Sequence, residues 1–195
     1  MATAPDVAAP AAAMSIPEVV YGAFCGEISQ LTAQKVVNSL AIAMGAKVKH
    51  VHLLFQSAGG YVGDGVFLYN FFRTIPIELT LYNVGQISSI GVIAYLGAKT
   101  RKTSESATFM LHRSTNSPQF ATATNLQHVV GGLALDDERT EIILRNHANF
   151  PHELWEQINH HEIYLSAKQA VQFGVANEIG QFAPPVGTQV FNILG

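Results

Sequence analysis

Apolar residues along this chain recur with two different periods. Val19 to Cys25 and Val48 to Phe55 are apolar-rich runs of strand length, and each is followed by a segment with apolar positions every three or four residues. Val36, Val37, Leu40 and Met44 mark one helical face, closed by Gly45. Tyr61 to Arg73 carries Val66, Phe67, Asn70 and Phe71 at helical spacing, and Pro76 forbids continuation. Glu78 to Val84 reads as the next strand, Ile90 to Leu96 as a helix and Ala107 to Leu111 as another strand. Repeated strand-helix-strand units predict an α/β fold with parallel pairing.

The second half is more helical. Asn125 to Ala148 predicts one long helix, in which Gly131-Gly132 costs about 1 kcal/mol per glycine relative to alanine and predicts a kink or a close contact. Pro151 to Asn159 predicts a further helix, Ser166 caps a short one ending at Gly174, and Val175 to Ile179 returns as a strand. Neither an internal repeat nor a linker divides the chain, so residues 18–182 form one domain. Residues 1–17 are an Ala/Pro-rich tail lacking a signal-peptide apolar core, and residues 183–195 form a second tail whose apolar end, Val190 to Leu194, should dock on the domain.

Bulk composition narrows the class. With 48% apolar and 13% charged residues, 195 residues can bury one substantial core. A net charge of −3 without a basic cluster argues against nucleic acid as a partner. No run approaches the ~18 apolar residues that span a bilayer, so no membrane is expected and the address is cytoplasmic by default. Cys25 is the single cysteine, which forbids an internal disulfide, and its place in an apolar run predicts core packing. His50 and His52 fall on one strand face, but two histidines without a third spaced ligand do not make a zinc site. Neither metal nor cofactor is expected.

Chemistry concentrates in three segments. Gly85-Gln86-Ile87-Ser88-Ser89-Ile90-Gly91 joins a strand to a helix, and a serine there sits beside free amides and the positive end of a helix dipole. Alone, such a serine is more often a cap than a nucleophile. Gly59-Gly60 follows a strand end, either as an ordinary turn or as a source of free amides for an oxyanion. His112 ends the strand Ala107 to Leu111.

Together, Ser57-Ala58-Gly59-Gly60, Gly85 to Gly91 and Phe109-Met110-Leu111-His112 resemble the proteolytic subunit of Clp protease (ClpP). The likeness continues through Thr122 to His147, similar to that family's handle helix, and through Tyr164-Leu165-Ser166-Ala167 and Phe173 to Glu178. It implies a ClpP/crotonase-like fold of repeated β-α-β units with a protruding handle helix. It further implies a serine endopeptidase acting on unfolded or extended polypeptides, with Ser89 as nucleophile and His112 as base. The Gly60 and Ile90 amides would form the oxyanion hole, with Gly59 supporting the turn. Ser88 takes a structural role.

The chain departs from that family in several places. The family's triad aspartate aligns with Glu162, whose extra methylene requires another approach to the imidazole or a retreat of the backbone. Arg113 to Phe120 lacks the family's glycine-rich run, although it should still offer an edge to an extended peptide. The Ala/Pro tail lacks the axial-loop pattern, which counts against dependence on a hexameric AAA+ unfoldase. The resemblance implies homo-oligomeric rings of seven, single or stacked. A catalytically weak ring subunit with a scaffold role is the competing reading, and an acyl-CoA enzyme of crotonase type ranks last.

Overall fold

The computed structural model describes residues 17–194, so the tail expected over 1–17 lies outside it apart from Pro17. Dense apolar runs became the central strands of a six-stranded sheet. β1 (Val19–Cys25), β2 (His50–Gln56) and β3 (Glu78–Asn83) alternate with α1 (Gln30–Gly45) and α2 (Val62–Thr74). Ser29 caps α1 in a reciprocal arrangement with Thr32, which fixes where the helix begins. Strand order is β8-β5-β3-β2-β1-β9, with β5 at Thr100–Thr103, β8 at Glu178–Ile179 and β9 at Val190–Asn192. Every neighbouring pair is parallel, as the alternating pattern predicts.

A second, three-stranded sheet has the order β4-β6-β7 and comprises Gln86–Ser88, Thr108–Leu111 and Ile163–Ser166. Between β4 and β5 lies α3 (Ile90–Leu96), buried at every residue. A helix apolar all round can occupy only such a place. Phe24, Phe55, Leu81, Ile87, Tyr95 and Phe109 are among the fully buried side chains, joining both sheets and α3 in one core.

The long helix α4 runs unbroken from Ala123 to His147. Gly131-Gly132 does not interrupt it, and the expected close contact is absent: a Cβ on either glycine would meet nothing within 4 Å. Most of α4 is exposed. Ile143 and Leu144 are its buried residues, so its last turns anchor it. α5 (His152–Ile158) and α6 (Ala167–Gln172) complete the elements.

Cys25 departs from expectation. Strand parity turns Gly22 and Phe24 inward and leaves Cys25 exposed. His50 and His52 are stacked, ring centres 4.0 Å apart, and bond the Thr80 and Tyr82 hydroxyls at 2.8 Å each. Burial lowers both imidazole pKa values, His52 to about 4. The carboxyl-terminal segment docks as β9 along β1, where the Phe191 ring lies over Gly22. A Cβ on Gly22 would come within 2.4 Å of that ring.

Candidate active site

Three strands of the small sheet lead to one place. Ser88 pairs with Met110, and Met110 with Tyr164. Just past these rungs stand Ser89 after β4, His112 after β6 and Glu162 before β7. The antiparallel register ends with Leu111 opposite Ile163, and His112 and Glu162 are the next residues beyond that last rung, one on each strand.

Ser89 occupies the strand-to-helix junction with φ 56° and ψ −132°. A non-glycine residue held there stores about 1–3 kcal/mol of strain. Its side chain makes no capping bond to α3. Instead, its Oγ lies 2.8 Å from His112 Nε2, while its amide donates to the Met110 carbonyl at 2.7 Å. Ser88 points the other way. It is buried, its amide donates to the Ser57 carbonyl, and its Oγ accepts from Gln86 Nε2 at 2.9 Å.

The glycine turn faces the same serine. Gly59 and Gly60 have φ values of 103° and 148°, and a Cβ on Gly60 would lie 2.0 Å from the Ile28 carbonyl oxygen. The Gly59 amide donates to Ser57 Oγ at 3.1 Å and is thereby occupied. Ile28 stitches the turn in place, donating to the Gly59 carbonyl at 2.8 Å and accepting from the Tyr61 amide at 2.9 Å. Among the described residues, the Gly60 and Ile90 amides donate to no backbone carbonyl. Two unused donors beside a serine can receive a developing oxyanion. A cavity of about 80 Å³ adjoins Ser89, with Val62, Ile93, Leu111 and Leu144 as its apolar wall.

Glu162 makes a different contact from the one anticipated. Its Oε2 accepts a hydrogen bond from the Tyr164 hydroxyl at 2.9 Å, and among the described residues no hydrogen bond joins it to His112. Beyond His112 the backbone is held by α4. Arg113 pairs with Glu141 at 2.7 Å and also donates to Asn159, while the Ser114 amide donates to Asp137 at 2.7 Å. Partial burial pushes the Glu141 carboxyl up, but Arg145 and Arg113 together hold it below its ordinary value. Residues 112–120 form no strand, and the segment bends at its end, where Phe120 has a φ of 53°. Ile28 and the Arg113 clamp escape sequence reasoning because no local pattern marks partners so distant in the chain, whereas the Tyr164–Glu162 contact spans only two residues along one strand face.

Comparison with known proteins agrees with this architecture. The family described as Clp protease matches residues 20–182. The chain is 24% identical over 156 residues to ATP-dependent Clp protease proteolytic subunit 2 of Pseudomonas aeruginosa, covering 79% of this chain and 77% of that one. It is 25% identical over 138 residues to ATP-dependent Clp protease proteolytic subunit 1 of Gloeobacter violaceus, covering 70% of each. Its fold is similar to that of a ClpP1 mutant from Listeria monocytogenes, with a TM-score of 0.71 and 19% identity over 84% of this chain and 91% of that one. With residues 20–182 matched without interruption and the fold shared, this chain belongs to the Clp protease family.

Proposed function

We propose that the chain is a serine endopeptidase that hydrolyses peptide bonds in unfolded or extended polypeptides. The observation that carries this reading is the 2.8 Å contact between Ser89 Oγ and His112 Nε2, beside the unused Gly60 and Ile90 amides. His112 takes the hydroxyl proton as Ser89 Oγ attacks the scissile carbonyl. The oxyanion is received by the two amides, and the protonated imidazole then donates to the leaving amine. Water, deprotonated by His112, releases the acyl group from Ser89. Glu162, just before β7 as His112 is just after β6, is the proposed third member, orienting the imidazole through its far nitrogen. The cavity beside Ser89, with apolar residues on one wall and Ser114, Thr115 and Thr140 also lining it, accepts a substrate side chain, and the segment after His112 guides an extended main chain.

A second reading has one observation in its favour. Glu162 bonds Tyr164 instead of His112, as expected of a catalytically weak subunit retained for assembly. A fluorophosphonate probe separates the two. Under the peptidase reading it labels the wild type and not Ser89→Ala; an assembled wild type that resists labelling supports the scaffold reading. Assembly into rings of identical copies belongs to this proposal, and it is supported by the apolar residues exposed on α4.

A further inference from the structure

We infer that Tyr164 competes with His112 for the Glu162 carboxylate and thereby acts as a positioning residue that restrains the site. This rests on the peptidase reading above and adds to it a group outside the triad. Residues 162 and 164 project from the same side of the chain entering β7, since side chains alternate along a strand. Successive same-face positions are about 6.5–7 Å apart, which a glutamate and a tyrosine can span together. The Tyr164 hydroxyl closes that gap at 2.9 Å from Glu162 Oε2.

The same carboxylate and His112 are the first residues past the last rung of the β6–β7 ladder, Leu111 with Ile163, and among the described residues the His112 imidazole bonds only Ser89. A neutral imidazole without an acceptor on Nδ1 partitions between tautomers, and only the form with bare Nε2 can take the serine proton. The Glu162 carboxylate, accepting the phenolic proton, raises the Tyr164 pKa. Tyr164 is 58% exposed, so its removal opens no void in the core.

Tyr164→Phe keeps the ring and removes the donor. The expected result is a gain of about three- to tenfold in kcat/KM for an unstructured peptide, abolished when Glu162→Gln is added. Glu162→Asp, too short to reach the hydroxyl, should show a similar gain. Proton NMR of the assembled protein supplies a readout independent of turnover: a downfield His112 Nδ1 proton should appear in Tyr164→Phe and be absent from the wild type. An unchanged or lower kcat/KM, a gain that survives Glu162→Gln, or an unaltered His112 signal overturns the inference. Should the fluorophosphonate label neither protein, the peptidase reading fails on its own account, while the His112 signal still decides the competition.

Discussion

At the scale of single residues, Gly60 meets two demands at once. Its amide is one of the unused donors beside Ser89, and its Cα lies where a side chain would strike the Ile28 carbonyl at 2.0 Å. Gly60→Ala should therefore displace the donor, lowering kcat about 100-fold or more with a smaller change in KM, as removal of one oxyanion donor does. Steady-state kinetics on a peptide ester would measure it, and a kcat within about threefold of wild type removes Gly60 from the oxyanion hole. The glycine pair, the serine at the helix start and the histidine at the strand end were all legible in the sequence. Each lies inside a motif only a few residues long. Ile28 was not, because its role depends on partners some thirty residues away that only the folded chain brings to it. The inward-outward parity that exposes Cys25 was hidden by the continuous apolar character of β1.

Among the elements, legibility followed length and apolar content. β1, β2, β3 and the helices stood out, whereas Thr100-Arg101-Lys102-Thr103 reads as a polar loop yet forms β5 between β3 and β8. Pairing partners, not propensity, make it a strand. Arg101 explains how a polar strand can be buried: its guanidinium donates to the Ala98, Val175 and Gly174 carbonyls at 2.7, 2.9 and 3.2 Å, joining β5 to the closing segment. Its own amide donates to Asn177 Oδ1. Removing a buried, charge-assisted donor leaves those carbonyls without partners, at about 1–3 kcal/mol for each buried group left unsatisfied. Arg101→Ala should thus lower stability by about 3–5 kcal/mol, read as a shift in the denaturant midpoint. Arg101→Lys should recover little, because an ammonium cannot span the fork. A loss below about 1 kcal/mol would show that water replaces the guanidinium.

For the whole molecule, the sequence leaves most unsaid about what covers α4. In an isolated copy Val130 and Leu135 are 66% and 65% exposed, and Leu126 and Ile142 are exposed as well, the first near Val130 and the second near Leu135 around the helix. Apolar side chains held clear of the core along a 25-residue helix are poorly accounted for by folding alone. The docked carboxyl-terminal strand does not cover them, since β9 lies on the edge of the large sheet beside β1. Gly131 and Gly132 fit the same picture: nothing in this copy approaches them, and two residues without side chains admit another helix closely. A charge at Val130 should break an assembly built on the Leu126–Val130 side of α4 while leaving the fold intact, because the side chain it replaces makes little contact within the copy. Sedimentation velocity at micromolar concentration should show wild type as a closed oligomer and Val130→Asp as smaller species with unchanged circular dichroism. A wild type that sediments as a monomer would remove the ring from the proposal, whereas an unaltered Val130→Asp oligomer would move the contact away from α4.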